Sequence, residues 1–424
     1  MKRLLPFLLF TLLSFSCFSQ LKEVAPETAG ASSERLKRID QLLQEYTDKK
    51  WIAGATAIVV KDGKIIYYKA HGVSNLESKA AMKKDDIFRI ASQTKAITSV
   101  AIMMLYEEGR LTLDDPISRY IPTFAKQTVL DKFNAADTTY TTVPASRAVT
   151  IRDLLTHTSG IGYAQIGSKE ATAIYAKNGI IGGIGVENGL LLGDKIKKLG
   201  TLPLLHQPGE KWTYGLNTDV LGYLVEVVSG MSLDAFFKTR IFEPLGMKDT
   251  YFYLPKEKYS RLVALNTENE AHEVVMMKKD LNISGEININ YPAAPGSYYS
   301  GGGGLSSTAL DYAIFMQMLC NYGEYNGKRI LSPVAVKMMT TSQYDKIAWP
   351  DTKMGLGFSL YTEKSTARSP LSPGSYDWGG MFSSTYWIDP VEKVVAQLFL
   401  NQYPNSHGEI HDKFKVAVYQ ALHK

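Results

Sequence analysis

Cysteine is nearly absent from this chain of 424 residues. Its two cysteines, Cys17 and Cys320, are too few for a disulfide framework, so stability must come from the core. The chain also has no strong excess of charge of one sign, since it contains 47 Lys and Arg and 42 Asp and Glu, with no run of five like charges. This argues against a nucleic-acid partner. No apolar run reaches the length of about 20 residues that spans a bilayer, so we expect no transmembrane segment.

The chain has an ordinary globular composition, 45% hydrophobic and 21% charged, and it is long enough to bury a large core.

Residues 1-19 have the features of an export signal. Lys2 and Arg3 precede an apolar stretch, and Cys17 and Ser19 are small residues at the position of signal-peptidase cleavage. We therefore expect a periplasmic or extracellular protein. A lipid anchor on Cys17 is the alternative, although the residues before it fit a lipobox poorly.

Hydrophobic periodicity predicts strands at both ends of the chain and helices between them. Apolar runs at 55–60 and 64–69 flank Asp62-Gly63, the strongest short signal for a hairpin, and two further runs, at 384–388 and 394–400, flank Asp389-Pro390. Helices are predicted at 33–49, 96–111, 219–228, 233–240, 311–319 and 408–422. The expected fold class is α/β of the α+β type, an antiparallel β-sheet flanked by helices with an inserted, mostly helical domain.

These elements also suggest a domain organisation. We expect the mature protein to be a single hydrolase-sized body of residues 20-424. Its α/β part comprises about 20-115 and 301-424, and the helical insertion comprises about 116-300, where Gly, Pro and helical stretches are frequent and alternating runs are few. The sequence leaves the oligomeric state open.

The sharpest chemical signal is Ser92-Gln93-Thr94-Lys95 at the start of a predicted helix. Residues three apart lie on one helix face, so the Lys95 amine can lie against the Ser92 hydroxyl and take its proton as the oxygen attacks a carbonyl. The helix amino end adds N–H groups where an oxyanion would form. The alternative is a simple helix cap, since a second S-x-x-K match, Ser19 to Lys22, shows how common the pattern is.

Two further stretches fit this chemistry. The turn from Pro208 leads to Tyr214, whose phenol could share a proton with Lys95 and pass it to a leaving group, although most of the 25 tyrosines pack in the core. Trp378-Gly379-Gly380 places two glycines at a strand edge, where the following N–H, that of Met381, could donate to an oxyanion. A strand bulge with a core tryptophan is the alternative interpretation.

With these motifs in order, the sequence resembles the serine β-lactamase and penicillin-binding-protein superfamily, in the branch of class C β-lactamases, D-stereospecific peptidases and family VIII carboxylesterases. The resemblance extends from about Pro26 to the C-terminal helix. It implies an active site between an α/β domain and a helical domain, acylation of Ser92, proton transfer by Lys95 and Tyr214, and an oxyanion hole formed by the amides of Ser92 and Met381. The motifs that carry it are Phe88–Lys95, Ile151–Gly160, Pro208–Tyr214, Gly301–Ser307 and Trp378–Gly380.

The sequence departs from the family pattern in two places. The usual Tyr-x-Asn motif has Leu216 at its third position, and Asn217, the candidate for the substrate-binding role of this asparagine, lies one residue later. The literal match at Tyr403-Pro404-Asn405 is out of order. Trp378 stands where β-lactamases and transpeptidases have Lys or His, so the cation that holds a substrate carboxylate is missing unless another loop supplies one. Trp-Gly-Gly is similar to the esterase branch and favours neutral esters.

Other candidates are weaker. His157 is expected to be a structural hydrogen-bonding residue, and His407 and His411 have the spacing of a metal pair but no third ligand, so we expect no metal. The glycine run at 301–304 lacks the Lys of a phosphate loop and suits a close-packed turn beside the cleft. No Gly-x-Ser-x-Gly occurs, which argues against an α/β-hydrolase.

The expectation is thus an exported serine hydrolase without a cofactor, forming an acyl-enzyme at Ser92 and acting on small-molecule esters. A D-amino-acid peptidase and a weak β-lactamase are alternatives on the same scaffold. A catalytically silent peptidoglycan-binding protein is an alternative of another class.

Overall fold

A computed structural model describes residues 21–423 except 165, 187, 280, 283–285 and 348, so the predicted export signal and Cys17 lie outside the described residues. The α-helices are α1 (Ser33–Asp48), α2 (Thr94–Glu107), α3 (Ile151–Leu155), α4 (Lys169–Lys177), α5 (Leu192–Leu199), α6 (Asn217–Ser229), α7 (Leu233–Phe237), α8 (Glu243–Leu245), α9 (Ala309–Cys320), α10 (Pro333–Met339) and α11 (Ile410–Tyr419). The strands are β1 (Gly54–Lys61), β2 (Lys64–Gly72), β3 (Phe88–Arg89), β4 (Thr128–Phe133), β5 (Tyr140–Pro144), β6 (Asn266–Glu268), β7 (Val274–Met276), β8 (Leu281–Asn282), β9 (Glu286–Ile287), β10 (Ser306–Ser307), β11 (Glu324–Tyr325), β12 (Lys328–Arg329), β13 (Thr352–Met354), β14 (Ser359–Tyr361), β15 (Tyr376–Gly380), β16 (Ser384–Asp389) and β17 (Val394–Phe399).

The main sheet joins strands from both ends of the chain. Its order is β13-β14-β15-β16-β17-β1-β2, and all neighbouring strands are antiparallel. The predicted hairpin is confirmed: Asp62 and Gly63 have φ of 52° and 71°, the left-handed pair that a tight two-residue turn requires. The antiparallel sheet flanked by helices confirms the expected fold class.

Both faces of the sheet are covered, and the alternation along β1 shows how. Ala57 and Val59 point into a core shared with α1 and α11, whereas Ile58 and Val60 point into a larger core that includes α2 and α9. The site lies on the α2 side, because β15 contacts the turn Ala91–Gln93 that leads into α2.

The segment from 116 to 300 contains more than the predicted helices. β4 and β5 form a hairpin, and β6 pairs with β7. Every residue of β5 is exposed, so the strand has no buried face and leaves no apolar alternation for sequence analysis to detect. The predicted helix at 233–240 also changes form: α7 ends at Phe237 and a π-helical turn, Lys238–Phe242, follows.

No single helix among the described residues is long and apolar enough to cross a membrane. α6 and the segment Leu233–Leu245 reach that length and apolarity only when they are taken together, and the chain bends by 80° between them.

Candidate active site

Ser92 lies in a tight turn between β3 and α2. β3 pairs with β10, and the amide of Ile90 donates to the carbonyl of Leu305 at 3.1 Å, which fixes the turn against the end of the glycine run. Ala91 has φ of 43°, an uncommon conformation for a residue with a side chain. Such strained positions concentrate at functional sites, where the surrounding structure holds them.

The three residues predicted to carry the chemistry meet at the Ser92 hydroxyl. Lys95 Nζ is 3.2 Å from Ser92 Oγ, and the Tyr214 hydroxyl donates to the same oxygen at 2.7 Å. Lys95 is only 2% exposed, whereas Ser92 is half-buried and lines a cavity. Lys95 Nζ also lies 4.8 Å from the centre of the Tyr214 ring. A nucleophile, an amine and a phenol are therefore within hydrogen-bond reach of one another at the cavity wall.

Two further groups hold the Lys95 amine, and sequence analysis missed both roles. Lys95 Nζ donates to the carbonyl of Gly302 at 2.6 Å and to the Tyr163 hydroxyl at 2.9 Å. Burial, followed by the charges of Tyr214 and Asp219, raises the pKa of Tyr163 well above its ordinary value, so the phenol stays neutral. The only sequence signal for Tyr163 was its place just after the Ile151–Gly160 motif.

Asp219 is a second residue that sequence analysis missed. It is 1% exposed, and its Oδ1 accepts from Ser300 Oγ at 2.6 Å and from the Gly302 amide at 3.3 Å, while Oδ2 has no partner within the described residues. Burial raises the pKa of the Asp219 carboxyl, and the charge of Lys95 is among the influences that oppose this rise. Gly302 thus contacts the amine through its carbonyl and the carboxylate through its amide.

β15 brings Trp378, Gly379, Gly380 and Met381 to the same cavity as Ser92. A Cβ on Gly380 would lie 2.4 Å from the carbonyl oxygen of Ile90, so only glycine lets the strand approach the Ser92 turn this closely. The end of β15 therefore lies against the nucleophile turn, where the predicted second oxyanion donor belongs.

The structure does not bring Asn217 to the cleft. The residue is fully buried at the start of α6, where its side-chain amide lies 2.9 Å from His157 Nδ1 and its carbonyl accepts from Ser159 Oγ at 2.5 Å. Since these contacts use the amide inside the fold, Asn217 supports the Tyr214 turn and is displaced from the substrate-binding place expected for it. Burial, then the charge of Lys95, lowers the pKa of His157, which is neutral.

The cavity beside Ser92 has a volume of about 730 Å³ and aromatic walls. The rings of Tyr214 and Trp378 lie 5.9 Å apart, and Trp349 meets Trp378 edge-on at 5.2 Å. Tyr403, from the motif discounted as out of order, also lines this cavity. The cavity wall beside Ser92 is therefore largely aromatic.

In the part of the chain that the structure describes, no three His, Cys, Asp or Glu side chains are grouped to hold a metal ion. His407 stacks on Trp51 at a centroid distance of 4.1 Å, and burial lowers the pKa of His411 to about 4.

Comparison with known proteins agrees with this geometry. The family model Beta-lactamase matches residues 39–420. Esterase EstB of Burkholderia gladioli is 28% identical over 394 residues, covering 90% of this chain and 94% of EstB. A putative D-alanyl-D-alanine carboxypeptidase of Escherichia coli K12 is 28% identical over 425 residues, covering 95% and 91%. The solved structure of EstCE1, a hydrolase with promiscuous acyltransferase activity, superposes with a TM-score of 0.80 at 26% identity, covering 91% of this chain and 99% of EstCE1.

The fold and the family relationship define a serine hydrolase of the β-lactamase/transpeptidase fold. The chain belongs to the Beta-lactamase family, which confirms the resemblance found in the sequence.

Proposed function

We propose that the protein is an exported carboxylesterase that forms an acyl-enzyme at Ser92 and hydrolyses neutral esters. The observation that carries this proposal is the Ser92 hydroxyl between Lys95 Nζ at 3.2 Å and the Tyr214 hydroxyl at 2.7 Å. Activation of serine by an adjacent base is the requirement of nucleophilic catalysis.

The contacts of Lys95 direct its nitrogen to Ser92. Nζ donates to the carbonyl of Gly302 and to the Tyr163 hydroxyl, and its remaining position faces Ser92 Oγ at 3.2 Å. As Ser92 Oγ bonds to the ester carbon, its proton passes to Lys95. The carbon–oxygen bond of the ester then breaks, and the leaving alcohol takes the proton of Tyr214.

Deacylation restores the three groups. The Tyr214 phenolate, stabilised by the adjacent Lys95 ammonium, takes a proton from water, and the hydroxide adds to the acyl carbon. The bond to Ser92 Oγ then breaks, and this oxygen regains its proton from Lys95. The amides of Ser92 and Met381 are the proposed donors to the oxyanion in both steps, because β15 ends against the Ser92 turn.

The neutral ester as substrate class is supported by Trp378. Its indole lies in the cavity wall beside Tyr214, where a cation would be needed to hold a substrate carboxylate. The similarity to Esterase EstB and EstCE1 points to the same class of bond. Export is proposed from the charged and apolar start of the chain alone.

The test is covalent labelling with a fluorophosphonate followed by peptide mass spectrometry, with turnover of short p-nitrophenyl esters, a chromogenic cephalosporin and a D-alanyl amide measured in parallel. We expect the adduct on Ser92, none in Ser92→Ala, and ester turnover well above the other two. Absence of an adduct and of turnover would favour a silent binding protein. A panel dominated by the cephalosporin or the amide would contradict the argument from Trp378.

A further inference from the structure

The cavity that holds Ser92 continues around the open edge of β15 to a second group of side chains. Among the described residues β14 pairs with β15 only at Tyr376 and Asp377, and the edge beyond them lines the cavity. Asp377 lies three residues before Gly380, about 10 Å along an extended strand. We call the far end of the cavity the polar chamber and define it by the residues that line it, Ser359, Tyr361, Asp377, Thr385 and Lys415.

Lys415 is the key residue of the polar chamber. It is 9% exposed, and its Nζ donates to the Tyr361 hydroxyl at 3.2 Å. The carboxylates of Asp377 and Asp412 lie 3.9 and 3.7 Å from the same nitrogen, which is ion-pair distance but beyond a hydrogen bond. Since an ammonium has three N–H bonds, Lys415 retains donors for a molecule in the cavity.

The chamber also offers acceptors and an unused hydroxyl. Asp377 accepts from the Tyr361 hydroxyl at 2.9 Å, and burial raises the pKa of its carboxyl. Thr385 is 8% exposed, lines the cavity, and makes no side-chain hydrogen bond within the described part of the chain. A ligand that both donates and accepts hydrogen bonds can therefore meet all three side chains.

The charges of the chamber decide against an ionic ligand. A carboxylate near Lys415 would also lie against Asp377 and Asp412, which repel it. An ammonium group would meet the repulsion of Lys415. The nearby Arg368 adds no free charge of either sign, because Asp351 lies 3.5 Å from its guanidinium. A neutral group with several hydroxyls fits these constraints.

The direction of the reaction assigns the chamber to the leaving group. β15 ends at Gly380, and Met381, whose amide is the proposed oxyanion donor, follows it. Tyr214, the proposed proton donor to the leaving oxygen, contacts Trp378. Asp377 and Trp378 point to opposite faces of the sheet, so the chamber lies on the α11 face and joins the Ser92 cavity around the strand edge at Gly379. The alcohol part of an ester thus extends from Tyr214 past Gly379 into the chamber, while the acyl part stays in the aromatic region near Ser92.

The geometry points to a polyhydroxylated alcohol, such as a sugar or glycerol moiety, as the leaving group of the ester, bound in the polar chamber. This inference rests on the proposed esterase function and narrows it to amphiphilic esters with an apolar acyl group and a hydroxyl-rich alcohol.

The test compares five butyrate esters that differ only in the alcohol: methanol, glycerol, the 6-hydroxyl of glucose, choline and glycolate. We expect kcat/KM for the glucosyl and glyceryl esters to exceed that for the methyl ester about tenfold or more, and the cationic and anionic esters to show no such gain. Lys415→Met should lower the glucosyl-to-methyl ratio about tenfold, and the isosteric Thr385→Val about fivefold. Lys413→Met, on the same helix but 50% exposed and paired with Glu409, is the matched control and should leave the ratio unchanged.

Three results would overturn the inference. In the first, wild-type kcat/KM is no higher for the hydroxylated esters than for the methyl ester. In the second, the glycolate ester has the highest kcat/KM of the five. In the third, neither Lys415→Met nor Thr385→Val lowers the glucosyl-to-methyl ratio. Calorimetric binding of the non-hydrolysable ether 6-O-butylglucose separates this inference from the proposed function. If the ether binds Lys415→Met tenfold more weakly than wild type, the polar chamber is supported even if no ester is hydrolysed. If wild type hydrolyses methyl butyrate but both proteins bind the ether equally well, the polar chamber is refuted and the proposed esterase function is not.

Discussion

Replacing Asp219 with asparagine should shift the pH dependence of the reaction. The buried carboxylate is joined to the Lys95 amine through one residue, because Gly302 donates to Asp219 Oδ1 at 3.3 Å and accepts from Lys95 Nζ at 2.6 Å. Both hydrogen bonds of Asp219 end on Oδ1, so asparagine can keep them while its Nδ2 replaces the unpartnered Oδ2 and the charge is removed. The other titratable groups that face this pair are Tyr163, Tyr214, Tyr298 and His157.

The size of the shift follows from the geometry. The two contacts and the intervening residue keep the charges within roughly 9 Å, and at an effective dielectric constant of about 20 their interaction is about 2 kcal/mol, or roughly 1.4 pH units. The negative charge of Asp219 favours protonation of the site around Ser92 Oγ. Its removal makes the basic form of the site easier to reach, so the acid limb of kcat/KM should move to lower pH.

The assay is kcat/KM for a short p-nitrophenyl ester from pH 5 to 9, with thermal melting to verify folding. Asp311→Asn is the matched control: this carboxyl is also buried, with its pKa raised to about 6, but its hydrogen bonds go to Asp249 and Thr250. We expect the acid limb to move by roughly one pH unit in Asp219→Asn and to stay in place in the control. Superimposed profiles for wild type and Asp219→Asn, or equal shifts in both variants, would refute the reasoning.

Two further predictions concern the site, and a third concerns the buried thiol of Cys320. Gly380→Ala should lower kcat/KM for short esters about 100-fold, because its Cβ would meet the Ile90 carbonyl oxygen at 2.4 Å and displace β15. Gly408→Ala, whose nearest contact is at 3.7 Å, is the control and should have little effect. Equal activities of the two variants would contradict the close approach of β15 to the Ser92 turn. Trp378→Lys should raise the ratio of cephalosporin to ester turnover about tenfold or more, and an unchanged ratio would remove the argument for neutral substrates. The Cys320 thiol, which is buried and whose pKa burial raises to about 12, should react with a thiol-specific reagent only after unfolding, as titration with and without denaturant would show.

Several parts of the structure were predictable because their causes are local. Ser92 and Lys95 are three residues apart on one helical turn, which brings their side chains together wherever the helix packs. The hairpin at Asp62-Gly63 follows from backbone preferences of the turn residues themselves. The exposed strand β5 was not predicted, because without a buried face it has no apolar alternation.

The placement of Asn217 shows the limit of motif spacing. Asn217 lies one residue beyond the usual motif position, and the first turn of α6 directs its amide to His157, inside the fold. Leu216, at the motif position itself, is buried as well, so neither residue lines the Ser92 cavity.

The sequence by itself determined the proximity of Ser92 and Lys95, the family and the sheet's antiparallel hairpins, because each depends on residues close in the chain or on motifs read in order. Tertiary structure decided everything that depends on distant segments: the approach of Tyr214 to a hydroxyl 122 residues away, the carboxylate of Asp219 beyond the glycine turn, and the arrival of Lys415 at the edge of β15. These contacts arise only when the sheet and the helices pack, and no local preference of the chain encodes them.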